Sequence, residues 1–152
     1  MALWRSLSIE QNKAIARRSF EELWNQGNLA VVDETFAGDF VGHGPPNPLF
    51  PTGDYHGHEG QKQLVTMYRS AFPDGNFTIK DVVAAGDKVV TRWVVRGTHQ
   101  GAMGDLPPTG KSVTFSGITI ARFAGGKYAE DWHNWETLGL MQQLGVVPAP
   151  GQ

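Results

Sequence analysis

The spacing of apolar residues changes once along this chain, near Asn76, and that change limits the folds open to it. Before Asn76 the apolar residues recur at helical intervals, whereas after it they alternate with polar residues, as along strands. Helices followed by a run of hairpin-connected strands are typical of an α+β domain. The chain has 152 residues and no internal repeat, which predicts one domain over residues 1–152.

The first half predicts three helices. Ser8 and Gln11 fit a capping box, in which each side chain satisfies a free backbone donor of the other residue, so we expect the first helix to begin there. Gly27 is suited to end this helix, and Asn28 can cap a second, shorter one. A third helix is predicted over residues 58–71, where a Pro-Asp-Gly turn ends it.

A proline-rich segment separates the second and third helices. A short extended piece at 39–43 leads into residues 44–57, where four prolines are crowded among glycines. Such a stretch neither continues a helix nor donates a full set of ladder hydrogen bonds, so it predicts a loop. Long loops are often lids over a site, but an ordinary surface excursion fits this sequence equally well.

The second half predicts four strands and a closing helix. The strands cover residues 77–85, 88–99, 111–123 and 127–136, and the helix covers residues 138–144. Ala85-Gly86-Asp87 is a tight hairpin signal between the first two strands. In the second strand, alternation puts Arg92 and Arg96 on one face and Trp93 on the other, and His99 shares the face of Trp93.

Composition excludes several classes of function. The net charge of −2 gives no basic footprint for nucleic acid or for an anionic membrane surface. The chain has no cysteine, which removes disulfides and thiolate chemistry, and no apolar run long enough to span a membrane. Met1–Leu7 lacks the apolar run of a secretion signal, so we expect a cytoplasmic protein. His56 and His58 are closely spaced, but no further ligand follows at a metal-site interval, so no metal is predicted.

Several short motifs occur in an order that resembles one known family. The sequence resembles SnoaL-like polyketide cyclases and their ester-cyclase relatives, of the NTF2-like superfamily, over roughly residues 10–147. The motifs are Ala71-Phe72-Pro73-Asp74, Ala85-Gly86-Asp87-Lys88-Val89-Val90 with Arg92-Trp93, Gly97-Thr98-His99, Pro107-Pro108-Thr109-Gly110-Lys111, Gly126-Lys127 with Glu130 and Trp132, and Gln142-Gln143-Leu144-Gly145.

The resemblance implies a cone, in which a strongly curved mixed or antiparallel sheet wraps around N-terminal helices. It also implies a pocket inside the cone for a small apolar or aromatic metabolite, chemistry without a cofactor, and a homodimer formed through the sheet. Because this superfold hosts many activities, it fixes function only loosely. Cyclisation of a polyketide-like ester is the specific expectation. The alternatives are an isomerase, dehydratase or epoxide-hydrolase variant, a protein that binds an apolar metabolite without reacting it, and a protein–protein adaptor.

Candidate acid/base residues lie at 130–136. Alternation puts Glu130, Trp132 and Glu136 on one face and Asp131, His133 and Trp135 on the other, but it does not say which face looks inward. Many relatives carry an Asp at the position of His133 or of Glu136, so either residue is a candidate base. In the alternative interpretation, Glu130 and Glu136 bond the backbone at the sheet edge and His133 is solvated.

The remaining candidates would bind substrate. His99 is a candidate hydrogen-bond donor to a substrate oxygen, or else a strand-end histidine that steadies the loop at 101–110. His43, just before the proline-rich loop, is a candidate for the pocket mouth. Large aromatic residues would line the pocket or fill the core. The wall candidates are Trp24, Tyr68, Trp93, Phe115 and Trp132.

Overall fold

The computed structural model describes the backbone of residues 2–151 and the side chains of residues 8–151. Met1, within the segment judged to hold no secretion signal, lies outside the described residues. Within these described residues the chain forms four α-helices, one π-helical turn and six strands. The helices are α1 (Ala2–Arg18), α2 (Ala30–Thr35), α3 (Gly57–Ala71) and α4 (Thr137–Gln143). The strands are β1 (Phe36–His43), β2 (Asp54–His56), β3 (Asn76–Ala85), β4 (Lys88–Thr98), β5 (Ser112–Ala124) and β6 (Lys127–Trp135).

Helix α1 begins before the predicted capping box, so the box at Ser8 and Gln11 is wrong. Both residues lie inside a continuous helix that already includes Ala2. The helix then widens into a π-helical turn at Ser19–Trp24, where the carbonyl of Phe20 accepts from the amide of Asn25 at 3.0 Å. This wider turn lets Phe20, Leu23 and Trp24 all be buried.

The sheet is mixed, with the strand order β2-β1-β6-β5-β4-β3. Strands β3 to β6 form the predicted antiparallel meander, and β1 joins β6 in parallel at the far side. The prediction of an α+β fold with N-terminal helices and a mixed sheet is confirmed, although β1 and β2 come before α3. Strand β2 was not predicted, because it lies at the end of the proline-rich segment that reads as loop. It pairs with β1 as an edge strand and places Tyr55 opposite Gly42.

Aromatic side chains on the inner face of the sheet form the core with the helices. Trp93 is 3% exposed and its ring contacts those of Phe20, Phe77 and Phe115. Gly117 on β5 makes room for it, since a Cβ there would lie 2.4 Å from Cζ2 of Trp93. Arg92 and Arg96 are exposed on the other face, which is the alternation predicted for this strand.

A bulge in β6 determines which of its residues face inward. Arg122 of β5 pairs with Glu130, but Phe123 pairs with Tyr128, so Ala129 is an extra residue on β6. As a result Tyr128 and Asp131 are both buried although they are three positions apart. Regular alternation then continues, so His133 is buried as well.

No helix in the described part of the chain is both long enough and apolar enough to cross a membrane.

Candidate active site

An apolar cavity lies between the inner face of the sheet and the helices, with a volume of about 60 Å³. Since a cavity needs ~10–15 Å³ to hold one water molecule, this volume has room for a few waters or a small organic group. Helix α3, the π-helical turn and strands β3 to β6 all contribute to its wall. The lining is Phe20, Trp24, Leu64, Tyr68, Arg69, Phe72, Gly75, Phe77, Trp93, Val95, Gly97, Phe115, Thr119, His133 and Trp135.

His133 is the only histidine in this lining, and both of its ring nitrogens have a polar neighbour. Nδ1 lies 2.7 Å from Oγ1 of Thr119, and this oxygen also accepts the indole N–H of Trp93 at 3.0 Å. Nε2 lies 2.9 Å from Oδ2 of Asp131, which is an ion-pair distance, although the ring N–H is not aligned for a hydrogen bond. In the tautomer with the proton on Nε2, near the carboxylate, the lone pair of the neutral ring is on Nδ1 and can accept from the hydroxyl of Thr119.

Two tyrosines hold Asp131 from behind. The hydroxyl of Tyr55 donates to Oδ1 at 3.1 Å, and that of Tyr128 donates to Oδ2 at 2.9 Å. Burial, followed by the nearby charge of Asp131, raises the pKa of both phenols well above 10.0, so both remain hydrogen-bond donors. The aspartate is 1% exposed, and these contacts fix its carboxyl group beside the imidazole of His133.

Tyr68 brings a second polar group to the cavity. Its hydroxyl has no hydrogen-bond partner in the part of the chain that the structure describes, and burial raises its pKa to about 12. A phenol with that pKa is protonated at neutral pH and can donate. Its ring packs edge-on against Trp135 at 5.8 Å and lies 6.3 Å from the ring of Trp24.

The one charged side chain in the lining points its polar group at the backbone. Nη1 of Arg69 donates to the carbonyls of Trp24 at 2.7 Å and Asn25 at 2.9 Å, where the π-helical turn ends. A cationic donor on those free carbonyls stabilises the helix end and fixes the position of Trp24.

The structure brings five of the predicted site residues to the cavity and leaves five outside it. His133 and the wall candidates Trp24, Tyr68, Trp93 and Phe115 line it. Asp131, His133 and Trp135 therefore belong to the inward face, which alternation alone did not decide.

Three of the candidates lie on the outer face of the sheet, namely Glu130, Trp132 and His43. The prediction that they contribute to the pocket is therefore wrong. His43 donates or accepts at both ring nitrogens, with Nδ1 2.8 Å from Asp54 and Nε2 2.8 Å from Glu130. Trp132 stacks on the same imidazole at 5.7 Å. These residues alternate with the inward ones along β1 and β6, so their side chains point away from the cavity.

Glu136 and His99 are also outside the cavity lining. Glu136 is exposed and accepts the amide of Ser116 at 2.9 Å, the backbone contact that was the alternative for it. His99 is fully buried, but its Nδ1 accepts the amide of Thr109 at 3.1 Å, so its ring supports the loop after β4.

Sequence reasoning missed Thr119, Tyr55 and Tyr128 as members of the site. Thr119 contacts His133 because the two residues are directly opposite in the β5–β6 register. Tyr55 lies on the edge strand that the prolines concealed, and Tyr128 reaches Asp131 only because of the bulge. For Asp131 the sequence did contain a signal, because alternation along β6 predicts it on the same face as His133.

Among the residues with described side chains, no group of three histidines, cysteines or carboxylates is arranged to hold a metal ion.

The model of the SnoaL-like polyketide cyclase family matches residues 14–144. The chain belongs to that family. None of the curated proteins compared with it matches significantly.

Solved structures agree with this assignment. A candidate polyketide cyclase from Acidithiobacillus ferrooxidans is 32% identical, with 90% of this chain and 95% of that chain covered at a TM-score of 0.78. A candidate SnoaL-like cyclase from Jannaschia sp. CCS1 is 24% identical, with 91% and 94% covered at a TM-score of 0.81. An NTF2-like protein of unknown function from Burkholderia pseudomallei K96243 is 18% identical, with 88% and 97% covered at 0.72. The last two show the fold, which is NTF2-like.

Proposed function

We propose that this SnoaL-like protein is a cofactor-independent acid/base enzyme that closes a ring in a small polyketide-like ester by intramolecular aldol addition. The observation that carries the proposal is a buried His133–Asp131 pair whose imidazole opens onto an apolar cavity. A base in such a place can take a proton from an enolisable C–H of a bound carbonyl compound.

His133 is the proposed base, with Nδ1 as the accepting atom. The substrate would approach Nδ1 and replace the hydroxyl of Thr119, which lies 2.7 Å away. Taking the proton makes an imidazolium, and the carboxylate of Asp131 beside Nε2 stabilises this charge. Tyr55 and Tyr128 keep the carboxylate in position.

Tyr68 is the proposed donor to the enolate oxygen. Its protonated, unpartnered hydroxyl lies in the same cavity wall as His133, in apolar surroundings where a hydrogen bond to a developing oxyanion is strong.

The proposed reaction returns the protein to its starting state. The α-proton moves to Nδ1, and the enolate carbon attacks a second carbonyl of the same molecule, so that one C–C bond forms and one C=O π bond breaks. The resulting alkoxide takes the proton back from the imidazolium, and no group leaves.

The test is deuterium exchange at the α-carbon of a 2-methyl-3-oxo ester in D2O, followed by proton NMR. The wild type should accelerate exchange above the uncatalysed rate, and His133→Gln should lower that acceleration by at least ~10²-fold, the usual contribution of a general base. His56→Gln is the matched control, because His56 is exposed and lies outside the cavity lining.

The same experiment separates catalysis from carriage. Equal exchange by the wild type and His133→Gln would contradict the proposal. Ester binding without any acceleration would favour the non-catalytic alternative, since an apolar cavity also suits a carrier of small metabolites.

We also propose a homodimer that forms through the outer face of the sheet. Val83, Val90, Ile120 and Trp132 are directly opposite one another across β3, β4, β5 and β6, which makes an apolar row on that face. Val83 is 60% exposed, and Ile118 beside the row is 46% exposed. Four neighbouring strands of this length present a face of about 30 Å by 20 Å, or ~600 Å², which is of the same order as the ~800 Å² per partner of a standard interface.

A further inference from the structure

A second apolar chamber adjoins the cavity, with a volume of about 170 Å³. It lies under the proline-rich loop and is walled by helix α4, the loop after β4 and the segment after α4. We call it the outer chamber, and the cavity that holds His133 the inner chamber. The outer chamber is lined by Pro45, Pro46, Asn47, Pro48, Tyr68, Met103, Leu106, Trp135, Thr137, Leu140, Met141 and Val146.

The two chambers share Tyr68 and Trp135 as wall residues. These rings meet edge to face, with centroids 5.8 Å apart and planes at 89°. They therefore lie between the two chambers, and we infer that a change in these side chains would connect them.

The inner chamber is too small for a polyketide-like ester. Its volume of about 60 Å³ leaves room for an enolisable head but not for a long chain attached to it. The outer chamber offers nearly three times that volume on the other side of the partition.

The lining of the outer chamber specifies what the attached chain must be. None of its lining residues is charged. Asn47 uses its side-chain oxygen to accept the amides of Leu49 at 3.1 Å and Phe50 at 3.0 Å, so this acceptor serves its own loop. Apart from the side chain of Thr137, the surface left for a ligand is made of proline, methionine, leucine, valine and aromatic carbons, which favour an uncharged hydrocarbon chain.

We propose that the outer chamber is a substrate subsite. The substrate is a β-keto compound that carries, beyond the second carbonyl used in ring closure, an unbranched apolar chain that passes between Tyr68 and Trp135. The head would react beside His133 while the chain lies against Met141 and Leu106. This inference rests on the proposed function for the identity of the head, but it concerns binding and is tested by binding.

The experiment is isothermal titration calorimetry of the full chain with methyl 3-oxobutanoate, 3-oxohexanoate, 3-oxooctanoate and 3-oxodecanoate. Each added CH2 should tighten binding by about fourfold, the factor that ~0.8 kcal/mol gives, until the outer chamber is full. Met141→Trp fills this chamber, and it should weaken binding of the longest ester at least about tenfold while leaving the shortest ester within about twofold. Leu138→Trp is the matched control, because Leu138 is on the same helix but 65% exposed and outside both linings.

Leu106→Trp, which fills the chamber from another wall, should repeat the effect and guards against misfolding of one variant. Affinity that does not depend on chain length, or equal weakening of short and long esters by both filling variants, would overturn the inference. His133→Gln should keep the chain-length dependence while it loses α-proton exchange. The subsite and the proposed function can therefore fail separately.

Discussion

Gly42 on β1 lies directly against the ring of Tyr55, and the site depends on this close approach. A Cβ at position 42 would lie 2.1 Å from Cζ and 2.5 Å from the hydroxyl oxygen of Tyr55, far inside van der Waals contact. Tyr55 is 1% exposed and its ring contacts those of Phe40, Phe50 and His133, so it cannot move away without displacing them. Only glycine at position 42 lets the hydroxyl reach Asp131.

We expect Gly42→Ala to displace Tyr55, to destabilise the fold by about 1–3 kcal/mol as overpacking usually does, and to lower α-proton exchange. Gly38→Ala on the same strand is the control, because nothing lies within 4 Å of a Cβ at that position. Chemical denaturation and the exchange assay measure the two effects. Equal stability of the two variants would show that Tyr55 is not held as described.

The two kinds of tyrosine in the site should respond differently to loss of the hydroxyl. Tyr128→Phe removes a donor from buried Asp131 and should cost about 1–3 kcal/mol of stability, because it leaves a buried acceptor unsatisfied.

Tyr68→Phe leaves no described partner unsatisfied, so the stability of this variant should hardly change while the catalysed exchange rate falls about 10²- to 10³-fold. Thermal melting with the exchange assay checks both, and a large drop in the melting temperature of Tyr68→Phe would contradict the donor role.

At this scale the sequence predicts residue types better than contacts. His133 was a candidate because of its chemistry, but its partners Thr119 and Tyr55 depend on strand register and on a glycine opposite a tyrosine. Neither register nor a close approach of this kind appears in the spacing of apolar residues, so those partners could not be predicted.

At the scale of elements, β2 is the least supported strand, and His43 holds it in place. It has three residues and pairs only with β1. His43 on β1 lies 2.8 Å from Asp54 on β2 and 2.8 Å from Glu130 on β6, and Arg122 of β5 also pairs with Glu130 at 3.2 Å. Because β2 carries Tyr55, this outer-face cluster secures a strand that reaches into the active site.

The cluster should give the protein a pH range of constant stability, and stability should fall both above and below that range. Partial burial lowers the pKa of His43, but the hydrogen bonds of Glu130 and Asp54 outweigh it, so the pKa is raised above 6.5. The hydrogen bond from His43 is the largest influence on Glu130 and lowers its pKa below 4.5. The His43 contribution is therefore complete below pH 6.5 and is lost as the pH rises through the raised value. The Glu130 contribution is complete above pH 4.5 and is lost as the pH falls through the lowered value.

We expect His43→Gln to remove most of this dependence, so that its melting temperature differs most from that of the wild type between pH 4.5 and pH 6.5. His56→Gln, which changes an exposed histidine of β2, should keep the wild-type profile. Parallel profiles for the wild type and His43→Gln would refute the role assigned to the cluster.

Most elements were predictable because their periodicity is strong, and the exceptions have physical causes. The four strands of the meander and helix α3 agree with their predicted positions to within one or two residues at each end. Strand β2 was hidden because its short run follows four prolines. The start of α1 was misjudged because Ser8 and Gln11 have the spacing of a cap, yet both lie inside a helix that begins at Ala2.

For the whole molecule, the family and fold followed from ordered motifs, whereas the pocket did not. The volume of the inner chamber depends on how Trp24, Trp93 and Trp135 pack together, which is a property of the assembled sheet and helices. The association of two copies likewise depends on the whole outer face, on which Val83 and Ile118 are the most exposed large apolar residues.

If two copies pair through that face, the wild type should sediment with twice the chain mass of 16.6 kDa. In a two-fold symmetric dimer each substitution occurs on both copies. A charge placed in the interface therefore lies near the same charge on the partner copy and repels it. Ile118→Lys should therefore give a species at the chain mass by analytical ultracentrifugation, with unchanged circular dichroism. Leu138→Lys puts the same charge on helix α4 at a residue that is 65% exposed, and it should remain a dimer. A monomeric wild type, or dissociation by both variants alike, would show that the apolar row does not join two copies.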